Sequence, residues 1–331
     1  METKSIYIFN LNISCNNHCR YCLLSWDGKT IGIDYQRSIG YAKKFYEWLR
    51  VTHPSIGFVY YFGYSMEHPH LFDAIKFMQY TNSPGGKLLQ FDGMKKRNKE
   101  ELQIFIKQLK QSGIETLSFT FYGIKEYHDK FAGRIGDYDL MMNTITIALE
   151  EKLNIEVGVP VTKENLTSLD ELVDIFTKLK VNLFLFTPHS AGRGIKLLNQ
   201  KITSKDFDSM SEKVKKYFNR ENNRTQYEWF LNPPKLVKNR VLTLSLLPSN
   251  IEELERTKFE DVIAKLEEED EKYFSIIPSF NELLDKYVDE EDERLYTKKD
   301  LYTIYRKKFI EEKKLEIKDL TDERFSGSIR Y

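Results

Sequence analysis

Three cysteines stand in the segment Ser14-Cys15-Asn16-Asn17-His18-Cys19-Arg20-Tyr21-Cys22, with the spacing C-x3-C-x2-C. The chain has no other cysteine. Three thiols crowded into one short segment cannot form a disulfide framework. Reduced cysteines in a compact group are typical of a metal site in a cytosolic protein. The segment therefore predicts metal binding near the N-terminus.

Two kinds of metal site fit these cysteines. Three thiolates from one loop can bind three irons of a cubane and leave the fourth iron open to another ligand. The alternative is a zinc site that adds His18 or a distant histidine to the thiolates. Zinc loops more often pair their ligands in two separated elements, and this sequence has one compact group. The pattern favours the iron–sulfur cluster.

The cysteine segment follows the first of six short β-rich runs, which alternate with helical runs from residue 5 to about residue 195. This alternation predicts βα units around a parallel sheet. The predicted strands are Ile6–Ile13, Gly57–Phe62, Lys87–Phe91, Ile114–Phe121, Ile155–Val161 and Asn182–Phe186.

Helix signals lie between these runs. A helix over Lys99–Gln111 is expected to end before Gly113, a residue that suits the left-handed position after a helix. Ser168 and Glu171 have the spacing of a capping box and precede apolar residues at helical spacing.

Beyond about residue 196 the pattern changes. It predicts an amphipathic helix over Thr203–Phe218, a polar linker over Asn219–Arg224, a strand over Arg240–Leu247 and then charged helices. We therefore expect a core over residues 1–200 and a mainly α-helical region with at least one strand over residues 201–331.

The composition of the chain excludes several classes of protein. With 331 residues and 41% hydrophobic content, the chain can bury a substantial core. Fifty basic and fifty acidic residues cancel, so no nucleic acid or anionic membrane is expected as a partner. No apolar run is long enough to span a bilayer and no signal peptide is recognised, which predicts a cytoplasmic protein.

The cysteine segment resembles the radical S-adenosylmethionine (SAM) superfamily. The spacing, the aromatic Tyr21 before the third cysteine and the loop after the first strand all match its signature. The resemblance implies a partial (β/α)6 TIM-type barrel in which Cys15, Cys19 and Cys22 hold a [4Fe–4S] cluster. SAM would chelate the open iron and be cleaved to a 5′-deoxyadenosyl radical that abstracts hydrogen from an organic substrate. An electron donor such as a flavodoxin or ferredoxin would reduce the cluster.

The resemblance also implies cofactor-binding residues after strands two and four. Phe62-Gly63-Tyr64-Ser65-Met66-Glu67 stands where the family often has G-G-E-P, whose glutamate helps to bind the SAM amino group. An ungapped alignment puts Tyr64 at the glutamate position, and a small insertion puts Glu67 there, so both alternatives stay open. Thr120 stands where relatives have a SAM-contacting serine, and Asp92-Gly93 replaces part of a T-N-G turn.

Further along the chain, Arg193 lies in a segment that resembles P-x-x-x-G-R-G. Its guanidinium would clamp a carboxylate or phosphate, or would simply be solvated. The adjacent His128 and Asp129 are expected to make local structural bonds rather than to act as an acid–base pair. The segment from Ser118 to Asp139 resembles peptide-modifying and cofactor-building members, and the resemblance around Gly123–Asp139 favours a peptide substrate.

Competing functions follow from the same residues. Within enzymes the alternative substrate is a small metabolite such as a nucleotide or sugar. A non-catalytic cluster protein or a zinc module on the same fold are the other hypotheses. Because no cysteine follows Cys22, the C-terminal region cannot hold a cysteine-bound auxiliary cluster. We expect this region to help close the substrate cavity, which must exclude water from a reactive radical.

Overall fold

Parallel strands and intervening helices make up the first two thirds of the chain. The structure, a computed structural model, describes residues 3–10, 15–23, 33–63, 66–234 and 239–317. Within these residues there are seven strands: β1 (Thr3–Asn10), β2 (Gly57–Phe62), β3 (Leu88–Gln90), β4 (Thr116–Thr120), β5 (Asn154–Pro160), β6 (Asn182–Phe186) and β7 (Asn239–Leu246). The helices of the βα part are α1 (Tyr35–Thr52), α2 (Leu71–Tyr80), α3 (Lys99–Gln111), α4 (Lys125–Ala132), α5 (Asp137–Glu150) and α6 (Leu169–Lys178).

The strands form two parallel sheets with the orders β7-β1-β2 and β3-β4-β5-β6. Ser83 lies between β2 and β3 in the chain, and its Oγ accepts a hydrogen bond from the Tyr60 backbone N–H at 2.8 Å. The predicted α/β fold class, a partial TIM-type barrel, is confirmed. Its six predicted strands are all present, and residues 11–13 of the first lie outside the described residues.

Burial alternates along β2, β3 and β6, as expected when one face packs on helices and the other faces an interior space. On β4, Leu117, Ser118 and Phe119 are all buried, and Ser118, Phe119 and Thr120 line a cavity. On β6, Leu183 and Leu185 are buried, whereas Phe184 faces the cavity and is 41% exposed.

The region after residue 200 is mainly helical and also supplies β7. Its helices are α7 (Ser204–Ser209), α8 (Glu212–Lys215), α9 (Gln226–Leu231), α10 (Ile251–Arg256), α11 (Phe259–Ile276), α12 (Phe280–Tyr287) and α13 (Lys298–Lys313). β7 pairs with β1 in parallel along its whole length, from Thr3 opposite Asn239 to Asn10 opposite Leu246. The C-terminal region thus adds a strand to the first sheet. The division of the chain at residue 200 stays a prediction.

Two local predictions are wrong. Ser168 makes no capping hydrogen bond, because the 3₁₀ turn Leu166–Ser168 directs its hydroxyl to the Asn165 carbonyl oxygen instead. Thr203–Phe218 is two short helices rather than one. Met210 is extended, and the Ser211 side chain then accepts from the Val214 backbone N–H to start α8.

The predicted linker Asn219–Arg224 is structured as well. It contains the 3₁₀ turn Arg220–Asn222, and Arg224 bridges to Tyr296. Among the described residues, no helix is both long and apolar enough to cross a membrane.

Candidate metal centre and its cavity

The cysteine loop is held by backbone hydrogen bonds to two neighbouring loops. Asn16 N–H donates to the Gly93 carbonyl oxygen at 2.8 Å, just beyond β3. His18 N–H donates to Ala132 at 2.9 Å, at the end of α4. These bonds tie the cysteine loop to the loop after β3 and to the end of α4.

A buried polar network supports the same loop from behind. Asp137 Oδ2 accepts from Asn17 Nδ2 at 2.8 Å and lies 3.2 Å from His128 Nε2. His128 Nδ1 accepts the Tyr122 backbone N–H at 3.2 Å, so Nε2 carries the proton that His128 donates to Asp137. Asp129 accepts the backbone N–H groups that begin α5. His128 and Asp129 thus both make local structural bonds.

Cys15, Cys19 and Cys22 all line one cavity of about 390 Å³. This volume is within the range of about 300–1,000 Å³ typical of cofactor and ligand pockets. The rest of the lining comes from Tyr21 and Leu23, from Thr297 just before α13, and from residues on or just after β3, β4, β5 and β6: Gln90, Asp92, Ser118, Phe119, Thr120, Tyr122, Gly158, Phe184, Phe186, Thr187 and His189.

The thiols fit a group that supplies positive charge. Burial raises the pKa of Cys15 to about 11 and raises that of Cys19 further, so free thiolates are disfavoured there. Metal binding deprotonates such thiols and compensates their charge. Gly93 has a positive φ of 69°, and a Cβ there would lie 2.2 Å from Cys15 Sγ. Glycine leaves room beside this sulfur.

A zinc site would need several ligand side chains grouped around one metal ion. Within the described ranges, no three histidine, cysteine or acidic side chains are grouped tightly enough to hold one metal ion. A cubane differs, because each thiolate binds a different iron. His18 is exposed and is not among the residues that line the cavity.

Asp92 is the carboxylate in the cavity wall. Its Oδ1 accepts the Thr120 backbone N–H and its Oδ2 accepts the Thr120 hydroxyl, each at 2.9 Å. Gln90 Nε2 also donates to Oδ2. Burial raises the pKa of Asp92 to about 6, against this hydrogen bonding. Thr120, predicted as a cofactor-binding residue, therefore orients an acid that the sequence analysis had described only as a departure from the family turn.

Aromatic rings form another wall. Tyr21 stacks on His189 with ring centroids 5.7 Å apart and meets Tyr122 edge-on at 6.0 Å. Phe186 lies 5.7 Å from His189. Burial raises the pKa of Tyr21 far above its ordinary value, so its hydroxyl stays neutral. Tyr21 thus lines the cavity, and its role in binding a cofactor stays a prediction.

Three other predicted site residues do not line the described cavity. Both carboxylate oxygens of Glu67 pair with Arg97 at 2.8 Å, and Oε1 also accepts the Lys95 N–H. Gly63 N–H donates to the Asn10 carbonyl oxygen at 3.3 Å, at the end of β2. Arg193 N–H donates to the Cys22 carbonyl oxygen at 2.9 Å, so its backbone supports the cysteine loop. Tyr64 lies outside the described residues.

The C-terminal region reaches this site through α13. Asp300 Oδ1 accepts the Ser190 backbone N–H at 2.8 Å, in the loop that carries His189. The fully buried Lys201 donates from Nζ to the Pro188 carbonyl oxygen at 2.6 Å and lies 3.5 Å from Asp300 Oδ2. Thr297, just before α13, lines the cavity itself.

Solved structures of other proteins have a similar architecture. The chain superposes on Streptococcus suis SuiB bound to S-adenosylmethionine with a TM-score of 0.52 and 10% identity, over 74% of this chain and 58% of SuiB. The chain therefore has the fold of SuiB. Escherichia coli coproporphyrinogen III oxidase, HemN, described as a radical SAM enzyme, gives a TM-score of 0.39 and 13% identity, over 62% of this chain and 48% of that one.

A curated relative matches at the sequence level. The Fe-coproporphyrin III synthase of Methanosarcina barkeri (strain Fusaro / DSM 804) is 26% identical over 98 residues, which is 29% of this chain and 25% of that protein. The match thus spans a quarter of the relative's length. No family model matches the chain.

Two residues that line the cavity, Tyr122 and His189, were not predicted as site residues. Tyr122 is the second residue after β4, and His189 is the third residue after β6, in the same segment as Arg193. A polar or aromatic residue within a few positions of the end of a parallel strand was the signal available for both. Asp300 and Lys201 had no such signal, because their partner loop is distant in sequence.

Proposed function

We propose that the protein is a radical SAM enzyme that binds a [4Fe–4S] cluster through Cys15, Cys19 and Cys22. The observation that carries this proposal is that all three thiols line one cavity at the carboxyl ends of the strands. When bound, the cluster and SAM supply a one-electron cleavage to methionine and a 5′-deoxyadenosyl radical, which removes hydrogen from an organic substrate. Residues of the chain itself are proposed to bind and orient the ligands and to exclude water.

Asp92 is the proposed partner of the SAM amino group. Its carboxylate faces the cavity and is oriented by Thr120 and Gln90. Glu67, the residue considered from the sequence, already forms a two-point ion pair with Arg97. An ammonium group is best bound by a carboxylate that is partly desolvated and held in place. Asp92 meets both conditions.

Tyr21, Phe186 and His189 are proposed to exclude water and to hold flat apolar parts of the ligands. Their rings lie within about 6.4 Å of one another along one wall. Gly158 contributes to this wall by having no side chain, since a Cβ there would lie 2.8 Å from the Phe184 ring. Phe184 stays exposed toward the cavity, which leaves an apolar surface for the substrate.

The substrate class is proposed to be a peptide, on the resemblance of Gly123–Asp139 to peptide-modifying members. A small metabolite is the alternative substrate. Incubating the reduced enzyme with SAM and a peptide library, and separately with nucleotides and sugars, and following 5′-deoxyadenosine above the substrate-free rate would distinguish the two.

The electron donor is proposed to be an acidic redox protein of the flavodoxin or ferredoxin kind. Exposed Lys95, Lys96 and Lys130 are close in sequence to Gly93 and Phe131, whose carbonyl oxygens bond to the cysteine loop, and Ile135 is 87% exposed. Charged residues around an apolar centre are common in transient protein contacts. Donor-driven reduction is expected to slow as ionic strength rises, whereas reduction by a small chemical reductant is not.

Anaerobic reconstitution tests the enzyme proposal. Protein loaded with iron and sulfide, reduced and supplied with SAM should release 5′-deoxyadenosine. Cys15→Ala, Cys19→Ala or Cys22→Ala should abolish the product, while His18→Ala should not. Wild-type protein that holds a cluster without forming product would favour the non-catalytic alternative. Colourless protein with one tightly bound zinc would overturn the cluster assignment.

A further inference from the structure

Tyr122 places a hydroxyl group against one of the three cysteines. Its Oη donates a hydrogen bond to Cys19 Sγ with an O–S distance of 3.2 Å. A cysteine that binds metal has lost its proton, so its sulfur can only accept such a bond. The direction of the hydrogen bond is therefore the one that a bound metal requires.

The Tyr122 ring is fixed in this position by its surroundings. Only 4% of the residue is exposed, and the ring stacks on Phe131 with centroids 4.5 Å apart. The backbone N–H of Tyr122 donates to His128 Nδ1 at 3.2 Å, and its carbonyl oxygen accepts from Asn165 Nδ2 at 2.8 Å. The hydroxyl thus needs no reorganisation to hold its bond to the sulfur.

We infer that Tyr122 is a positioning residue that raises the reduction potential of the cluster through its hydrogen bond to Cys19. The inference rests on the proposed function. Reduction adds negative charge that is shared by the sulfurs, and a hydrogen-bond donor stabilises the more negative state. The surroundings are buried, so the field of the donor is weakly screened. Tyr122 therefore makes the cluster easier for the electron donor to reduce.

A matched pair of variants tests this role. Tyr122→Phe removes only the hydroxyl at Cys19. Tyr127→Phe is the control, because Tyr127 also packs on Phe131 while its hydroxyl bonds to Glu164 at 3.1 Å. Iron content is measured first, and the midpoint potential of the cluster is then followed by electron paramagnetic resonance without SAM. We expect a more negative potential in Tyr122→Phe and the wild-type potential in Tyr127→Phe.

Each outcome decides the question. An unchanged potential in a fully loaded Tyr122→Phe, or equal shifts in both variants, overturns the inference. If Tyr122→Phe holds no cluster, 3-fluorotyrosine at position 122 keeps the ring and strengthens the donor. Its potential should then rise, and an unshifted value overturns the inference. Failure of the proposed function is seen separately, as wild-type protein that takes up no cluster or forms no 5′-deoxyadenosine.

Discussion

Asp92 and Glu67 are two acidic residues whose partners differ completely. Asp92 is held by neutral donors, Thr120 and Gln90, and faces the cavity. The side chain of Glu67 is 13% exposed and pairs with Arg97, which links the loops after β2 and β3. A carboxylate already neutralised by a guanidinium is a poor partner for a second cation. The two residues should therefore respond differently to loss of charge.

Asp92→Asn is expected to weaken SAM binding by roughly tenfold or more. A hydrogen bond between charged groups contributes about 1.5–3 kcal/mol, and each 1.4 kcal/mol or so is a factor of about ten in affinity. Equilibrium dialysis of SAM with the cluster-loaded protein measures the effect. Glu67→Gln is the matched control and should keep the wild-type affinity. The opposite ranking would return the role to Glu67.

The pH dependence of stability reports on Asp92 as well. Burial raises its pKa from 3.8 to about 6, so the folded protein holds a proton in this interval that the unfolded chain has released. The contribution of the carboxyl group to stability is then present at low pH and is lost as pH rises through about 6. Urea unfolding of the wild type and Asp92→Asn should show the wild-type advantage shrinking from about pH 4 to about pH 6. A difference that grows over this interval would contradict the shift.

At the scale of elements, short loops determine where the thiols lie. Gly93 follows β3 with a positive φ of 69° and contacts the cysteine loop through its carbonyl oxygen. Gly113 also has a positive φ, 87°, but a Cβ there would meet the side-chain amide of Gln79, which donates to the Gly86 and Ser112 carbonyl oxygens, instead of a cysteine. The two glycines share the backbone conformation and differ in their neighbour.

Gly93→Ala is expected to reduce the iron bound per chain severely, because the new Cβ and Cys15 Sγ cannot occupy the same space. Gly113→Ala carries a comparable backbone strain of about 1–2 kcal/mol and should still bind iron. Iron and sulfide analysis after anaerobic reconstitution compares them, with circular dichroism to check folding. Equal iron in the two variants would show that the contact at Cys15 does not matter.

Elements with strong local signals were predictable. The predicted bounds of α3 and of strands β2 and β6 agree with the structure, because Gly113, the apolar pattern and the turn residues all mark the same ends. The wrong predictions fall where a hydroxyl had a competing local partner, as at Ser168 and Ser211. Such choices between hydrogen-bond partners depend on backbone angles that the sequence pattern does not show.

At the scale of the whole molecule, the C-terminal region is tied into the core by β7 and by Asp300. Asp300 holds the loop after β6 through Ser190 and faces the buried ammonium group of Lys201. Burial lowers the pKa of Lys201, against the effect of Asp300. The ion pair joins two segments that are about a hundred residues apart in the chain.

Asp300→Ala should lower the free energy of unfolding by about 3–5 kcal/mol, because it leaves the buried Lys201 without its counter-charge. Asp285→Ala, at an exposed acidic residue of α12, is the control and should change it by less than about 0.5 kcal/mol. The double variant Asp300→Ala with Lys201→Met should recover part of the loss, since no unpaired charge remains. Urea unfolding measures all three, and a double variant less stable than Asp300→Ala would argue against an unpaired charge as the cause.

The sequence by itself determined the spacing of the three cysteines, the parallel βα order and the resemblance to radical SAM enzymes, because spacing within one loop and periodicity within one element are local properties. Only the tertiary structure decided that Asp92 faces the cavity while Glu67 pairs with Arg97, that Tyr122 donates to Cys19, and that β7 and Asp300 join the core. These contacts join residues far apart in the chain. Their partners are selected by packing and burial, which no local pattern encodes.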